Sequence, residues 1–115
     1  MTANIIYCAL CFLMLHIMVW FSTNLQFIDS GWAEKSFWVT LILAIPTSFL
    51  AYYGSRFGYE VLNESVWGVR FLAFAISYLT FPIMTYYFLG ESMFTFKTMS
   101  CIFLSCVILF IQFFL

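Results

Sequence analysis

The sequence predicts an all-α integral membrane protein, a bundle of four transmembrane helices in a single domain over residues 1–115. Hydrophobic residues make up 65% of the chain, whereas soluble proteins are about 45–50% apolar. Charged residues make up only 8%, against about 25% in soluble proteins. A globule of this size is mostly surface, and so few charges cannot cover it in water. We therefore expect lipid to surround most of the chain.

Four long apolar segments account for this composition. They run from about Ile5 to Phe21, Phe37 to Tyr53, Val66 to Leu89 and Met93 to Leu115. A segment of about 17–24 residues, rising 1.5 Å per residue, crosses a hydrocarbon layer of roughly 30 Å, the first two segments only just. Because lipid offers no hydrogen-bond partners to the backbone, the segments are predicted to be helices rather than strands.

The first segment carries the candidate site. It has no basic start and no small-residue cleavage site, so we interpret it as a retained transmembrane helix rather than a signal peptide. His16 is the only ordinary titratable group well inside a segment. His16, Trp20 and Thr23/Asn24 share one helical face, which predicts a substrate or proton site because polar groups in lipid are costly. The alternative is a neutral imidazole that bonds a neighbouring helix.

The second and third segments each contain a proline. Pro46 and Pro82 each remove one backbone hydrogen bond and are predicted to kink their helices. Thr47, Ser48 and Thr80 are the hydroxyl groups expected to satisfy the freed carbonyls. Kinked helices suit a transporter that rocks between states, although static membrane bundles contain proline as well.

Small residues recur at helical spacing and predict packing faces, because small faces let helices approach closely in lipid. The predicted faces are Ala44, Ser48, Ala51 and Ser55 on the second helix, Ala73, Ser77 and Thr80 on the third, and Cys101 and Ser105 on the fourth. A substrate path lined by the same hydroxyl groups is the alternative interpretation.

Turn-forming residues separate the last three helices. Gly54, Gly58 and Asn63 predict a turn after the second helix. The stretch Gly90–Ser92 predicts a tight hairpin, with Gly90 as a left-handed cap of the third helix. Glu91 and Ser92 are expected to satisfy free N–H groups at the start of the fourth helix.

The few charges are predicted to lie at the rims of the membrane. All the acids fall in predicted connections: Asp29, Glu34, Glu60, Glu64 and Glu91. The basic residues divide evenly, with Arg56 and Arg70 on one side and Lys35 and Lys97 on the other. This balance gives no orientation by the positive-inside rule and permits an antiparallel dimer. A net charge of −1 with no basic stripe argues against a nucleic-acid partner.

The cysteines do not predict a metal site. Cys8 and Cys11 lie near one end of the predicted bundle and Cys101 lies near the other, so four thiolates cannot converge on one ion. We expect packing residues here, with no metal and no cofactor. No nucleophile–base pair, phosphate-binding glycine loop or paired carboxylates occur, so an enzyme is not predicted.

Several short motifs resemble a known family. The stretch PIMTYYFLGES, Pro82–Ser92, with an apolar helix after it, resembles the closing hairpin of the drug/metabolite transporter superfamily. Short four-helix members of that superfamily are the closer likeness. They commonly carry a Trp in an aromatic-rich first helix, as Trp20 here, and an Arg-aliphatic-Gly-Tyr connection, which RFGY at Arg56–Tyr59 resembles. They end in a Leu-Gly-Glu hairpin, here Leu89, Gly90 and Glu91.

The resemblance implies a small-molecule transporter that acts as a homodimer in the cell (inner) membrane, each chain being related to half of a larger two-repeat transporter. The chain is also similar in size and topology to the small multidrug resistance exporters. Those proteins couple to protons through a glutamate in the first helix, where this chain has no acid and His16 is the only candidate replacement. Export of lipophilic cations is therefore disfavoured. The alternative function is a non-transporting accessory subunit of a membrane complex.

Overall fold

The computed structural model describes residues 2–28, 31 and 33–115, and it confirms the all-α prediction, with 89% of the chain helical. The helices are α1 (Thr2–Asn24), α2 (Ala33–Val61), α3 (Val66–Leu89) and α4 (Phe96–Phe114), and a short 3-10 turn, Leu25–Phe27, follows α1. Each of the four α-helices is long and apolar enough to cross a membrane. This length and composition are typical of a polytopic membrane protein.

The helices fan out around α1. Its main neighbour is α2 and its second is α3, whereas α4 packs against α3 alone to any extent. The buried core lies where the first three helices meet and consists of Cys8, Phe12, Val69 and Ile76. Helices α1 and α2 run in opposite directions, since Cys8 near the start of α1 lies beside Gly58 near the end of α2. Helix α3 runs in the same direction as α1, since Trp20 near the end of α1 bonds Thr85 near the end of α3.

The turn predicted at Gly54 and Gly58 is wrong, because α2 continues through both glycines to Val61. Both are buried against α1. A Cβ at Gly54 would lie 3.0 Å from Cε1 of Phe12, and one at Gly58 would lie 3.0 Å from Sγ of Cys8. Two glycines four residues apart form a face on which helices pack closely in membranes. The two glycines therefore form a packing surface for α1 rather than a turn. The turn follows Val61 and begins eight residues later than predicted.

Helix α2 is longer at both ends than predicted, and it therefore includes two of the acids. Glu34 lies in the first turn of α2 and Glu60 in its last turn, rather than in connections. Glu64 and Glu91 lie between helices as predicted, and Asp29 is outside the described residues. Within the described ranges, every acid thus lies in a connection or in the terminal turn of a helix.

The boundaries of α3 agree with the prediction. Asn63 and Glu64 adopt left-handed conformations, with φ of 55° and 58°, in the turn that precedes the helix. Ser65 caps the first turn by accepting a hydrogen bond from the N–H of Gly68. Gly90 caps the other end with φ of 71°, and its N–H donates to the carbonyl of Tyr86. The predicted glycine cap is confirmed, since a left-handed residue after a helix is most often glycine.

The predicted start of α4 is wrong. Glu91 and Ser92 precede the helix, and the N-cap is Thr95, whose hydroxyl group accepts from the N–H of Thr98. The Ser92 hydroxyl accepts instead from the N–H of Phe94 within the connection. A hydroxyl residue does cap α4, as helix N-termini favour, but three residues later than Ser92.

Both prolines lie within continuous helices. Pro46 and Pro82 leave the carbonyls of Ile42 and Tyr78 without their usual partners four residues on. The predicted hydroxyl partners bond other carbonyls. Thr47 and Ser48 both donate to the carbonyl of Ala44, and Thr80 donates to that of Ser77. The prediction that these three satisfy the freed carbonyls is therefore wrong.

Helix α4 is the least embedded element. Every residue of α4 is described, and none is buried. Phe96, at its start, is 90% exposed, and Phe103 and Phe110 are exposed as well. In water such an apolar surface would drive aggregation, whereas lipid tails solvate it as readily as another helix does.

Candidate functional site

The polar residues predicted on the first helix line one pocket between α1 and α3. The pocket has a volume of about 250 Å³. The α1 wall consists of His16, Val19, Trp20, Thr23 and Asn24, and the α3 wall of Ser77, Thr80 and Phe81. None of these described lining residues carries a carboxylate, so hydroxyl, amide and imidazole groups supply the polarity of the pocket.

His16 is tied to the backbone of α3. Its Nε2 lies 2.9 Å from the carbonyl oxygen of Ala73. Because a carbonyl oxygen only accepts, Nε2 carries the proton and donates it. In a neutral imidazole, Nδ1 is then an acceptor, and no residue within the described ranges bonds it. The ring is thus held in one orientation and keeps one nitrogen for a ligand or a proton.

Trp20 forms the most deeply buried part of the site. The side chain is 2% exposed, and its indole N–H donates to the hydroxyl of Thr85 at 3.0 Å. Its ring packs against Phe88, with the centroids 5.3 Å apart, and edge-on against Phe21. A buried indole needs an acceptor for its N–H, and Thr85 supplies it from α3. The contact fixes the C-terminal halves of α1 and α3 against each other.

Asn24 closes the pocket at the end of α1. Its amide donates to the backbone carbonyl of Trp20 at 3.2 Å and to the hydroxyl of Thr23 at 2.9 Å. The Thr23 hydroxyl in turn donates to the carbonyl of Val19. These local bonds use the amide protons of Asn24, so its side-chain oxygen is the group that remains for a ligand.

A second cavity lies on the other side of α3, between α3 and α4. It is about 360 Å³, with Phe74, Tyr78 and Pro82 on the α3 wall and Thr98 and Cys101 on the α4 wall. Glu91 and Ser92 lie at its connection end. Ser77 and Phe81 line both this cavity and the pocket of His16. These two side chains therefore separate the two spaces.

Tyr78 and Ser105 link the two helices around this cavity. The Tyr78 hydroxyl lies 3.1 Å from that of Ser105. The Ser105 hydroxyl also donates to the carbonyl of Cys101, so Tyr78 donates to Ser105. Within the described residues, this side-chain bond and a narrow apolar contact with α3 hold α4 to the rest of the bundle.

The small-residue faces occupy different environments. Ala73 packs against the core, Thr80 is buried and Ser77 is half-buried, so the stripe on α3 faces α1. On α2, by contrast, Ala44, Ser48 and Ser55 are exposed and Ala51 is half-buried. The predicted packing face of α2 therefore points away from its neighbours in the chain, and Gly54 and Gly58 provide the face that packs. On α4, Ser105 meets Tyr78 and Cys101 is exposed.

Three residues of the two cavities were not among the candidates predicted from the sequence: Thr85, Tyr78 and Phe81. A buried tryptophan needs a hydroxyl or carbonyl acceptor for its N–H, but the sequence does not indicate which helix supplies it. The choice of Thr85 among the hydroxyl residues of α3 depends on how α1 and α3 are shifted along each other. Phe81, one of sixteen phenylalanines, has no sequence signal that distinguishes it.

The four cysteines are free thiols. Cys8 is buried, Cys11 is half-buried, and Cys101 and Cys106 are exposed. Cys8 serves as a small packing group, since its Sγ touches the space that a side chain at Gly58 would need. Its environment is apolar, as is usual for structural cysteines.

Comparison with protein-family models, with curated proteins and with solved structures found no match to this chain. The family prediction therefore rests on the short motifs of the sequence, namely Trp20, Arg56–Tyr59 and Pro82–Ser92. The structure places Gly58 and Gly90 where only a small or left-handed residue fits, and it leaves Arg56 and Tyr59 exposed.

Proposed function

We propose that the chain is a small-molecule transporter of the drug/metabolite transporter type that acts as a homodimer in the cell (inner) membrane. The pocket of His16, Trp20 and Asn24 is the observation that carries this proposal. It gathers three side chains with polar groups between helices that are otherwise apolar, and polar groups within membrane helices often mark substrate or proton sites. Homodimerisation is proposed from the family resemblance, and the exposed surface of α4 leaves room for a second copy of the chain.

The pocket indicates the kind of substrate. Its volume of about 250 Å³ is below the range of about 300–1,000 Å³ that drug-sized ligands occupy. Nδ1 of His16 and the amide oxygen of Asn24 are acceptors, and no carboxylate is present among the described lining residues to neutralise a cation. A small, uncharged solute with hydrogen-bond donors therefore fits better than a lipophilic cation.

The two cavities around α3 support a path for such a solute. Phe81 and Ser77 line both of them, and Pro82, next to Phe81, leaves the Tyr78 carbonyl without its helical partner. A rotation of the Phe81 side chain would connect the space beside His16 with the space that ends at Glu91. We expect this rotation to be one step of transport.

The test is solute flux in vesicles. We expect proteoliposomes of the full chain to take up at least one of urea, glycerol and glucose faster than protein-free vesicles, with or without a pH gradient, as read by stopped-flow light scattering. His16→Ala should lower the protein-dependent rate severalfold, up to about tenfold, because one hydrogen bond is worth roughly 0.5–1.5 kcal/mol and about 1.4 kcal/mol is a factor of ten in rate.

Met14→Ala is the matched control, since Met14 lies on the exposed side of the same helix, and it should keep the rate of the original chain. Rates equal to those of empty vesicles for all three solutes, and for an added lipophilic cation and an amine, would contradict the proposal. So would an unchanged rate in His16→Ala.

A non-transporting accessory subunit is the second candidate, and the exposure of α4 favours it. That helix buries no residue within the chain and touches little besides α3, so a larger membrane protein has room to cover it. This function predicts that the chain co-purifies in mild detergent with one fixed partner. Recovery of a homodimer alone would favour the transporter.

A further inference from the structure

Packing explains only half of the motif RFGY at Arg56–Tyr59. Gly58 is buried, and a Cβ there would lie 3.0 Å from Sγ of Cys8 and 3.2 Å from Val69. Phe57 packs against the core and against the ring of Tyr7. Arg56 and Tyr59 are exposed instead, so packing within the chain does not account for them.

Both residues line an open groove between α2 and α3. Tyr52, Ser55, Arg56 and Tyr59 follow the spacing i, i+3, i+4 and i+7, which places them on one helical face. Val66 and Val69 of α3 form the opposite, apolar wall, and the groove has a volume of about 600 Å³. The groove therefore combines one guanidinium group and three hydroxyl groups with an apolar wall.

The charge in this groove is positive. Nε of Arg56 lies 4.0 Å from Oε1 of Glu60, and both side chains are at least half exposed. Such an exposed pair contributes little. The other oxygen of Glu60 accepts a hydrogen bond from Asn4 on α1 at 3.3 Å, and Glu60 is not among the residues that line the groove. The terminal nitrogens of Arg56 remain available for an anion, a geometry that suits phosphate.

The length of α2 places this groove at the edge of the membrane. Its 29 residues extend about 44 Å, more than the roughly 30 Å of the hydrocarbon layer. The helix begins with the polar stretch Ala33–Ser36. A layer that starts at Phe37 ends about twenty residues later, near Arg56. The guanidinium group is thus expected at the level of the lipid headgroups, with Val66 and Val69 beside it.

We propose that this groove binds an anionic phospholipid, with the phosphate on Arg56, Ser55 and Tyr59 and an acyl chain along the exposed side chain of Val66. The guanidinium supplies the opposite charge, the hydroxyl groups donate to phosphate oxygens, and the apolar wall takes the chain. A free phosphate would leave that wall unused. The inference requires insertion of the chain in a membrane but does not depend on transport, because binding is measured without flux.

Native mass spectrometry of the full-length protein in detergent, titrated with phosphatidylglycerol, tests this site. We expect Arg56→Gln to weaken phosphatidylglycerol binding about tenfold, the loss of one charge-assisted contact to phosphate. Arg56→Lys, which keeps the charge, should lose less, and Tyr59→Phe should weaken binding severalfold. Arg70→Gln is the matched control, because Arg70 is an exposed arginine near the start of α3 but does not line the groove. This substitution should change phosphatidylglycerol binding less than twofold.

Equal affinity of the original chain and Arg56→Gln for phosphatidylglycerol would overturn the proposal. So would equal loss in Arg56→Gln and Arg70→Gln, which would indicate general charge attraction. Displacement of the lipid by excess inorganic phosphate would assign the site to free phosphate. Thermal unfolding of each variant in detergent distinguishes a loss of lipid binding from a loss of folding. If a substitution of Arg56 unfolds the chain, Tyr59→Phe still tests the site.

Discussion

Replacing Gly58 with leucine is expected to lower the free energy of unfolding by about 3 kcal/mol, the upper part of the usual range for overpacked cores. The first added carbon would already lie 3.0 Å from Sγ of Cys8 and 3.2 Å from Cγ2 of Val69. Cys8 is fully buried, and valine is stiff at χ1, so neither neighbour moves aside easily. The helices themselves must separate.

Ala44→Leu is the matched control for this prediction. Ala44 lies on the exposed face of the same helix, so a leucine there should change stability by less than about 0.5 kcal/mol. Unfolding by titration with a denaturing detergent, followed by circular dichroism, measures both variants. Similar midpoints for the two variants would show that α2 does not pack on α1 through its glycine face.

Truncation of Trp20 is expected to have an effect at least as large. Trp20→Ala removes a large side chain that is 2% exposed, and such changes cost about 3–5 kcal/mol in well-packed cores. It also leaves the buried hydroxyl of Thr85 without its donor. Trp20→Phe keeps an aromatic ring and removes the indole N–H, and a hydrogen bond between membrane helices is worth about 0.6 kcal/mol on average and about 1.7 at most.

Trp38→Ala provides the comparison, because Trp38 is 64% exposed and its loss leaves no internal cavity. Detergent unfolding should rank Trp20→Ala well below Trp20→Phe, and Trp38→Ala close to the original chain. Combining Trp20→Phe with Thr85→Val should cost less than the sum of the two single changes, since both remove the same bond. Strict additivity would mean that the indole and the hydroxyl do not interact.

The sequence predicts the helices better than it predicts where they end. The boundaries of α3 agree because Ser65 and Gly90 are strong capping residues whose effect is local. The end of α2 was missed because glycine has two uses. In soluble proteins it most often marks a turn, whereas Gly54 and Gly58 create a close helix contact. A spacing of four residues is compatible with a packing face as well as with a turn. Only the position of α1 in the structure decides between these two roles of glycine.

The sequence likewise predicts one part of the candidate site and not the other. The grouping of His16, Trp20 and Asn24 follows from helical periodicity within α1, and the structure brings all three to one pocket. Their partners, the Ala73 carbonyl and the Thr85 hydroxyl, depend on the shift between α1 and α3. That shift results from side-chain packing over the whole contact, so no periodic signal in the sequence predicts it.

Amide hydrogen exchange of the protein in lipid vesicles tests most directly the claim that these four helices cross a membrane. Helix α4 is the decisive segment, because it buries no residue within the chain and can be shielded only by its surroundings. We predict that the amides of residues 99–112 are as strongly protected as those of α1, while residues 62–65 and 90–95 exchange quickly. Rapid exchange throughout α4 would contradict the account, since it would place that helix in water.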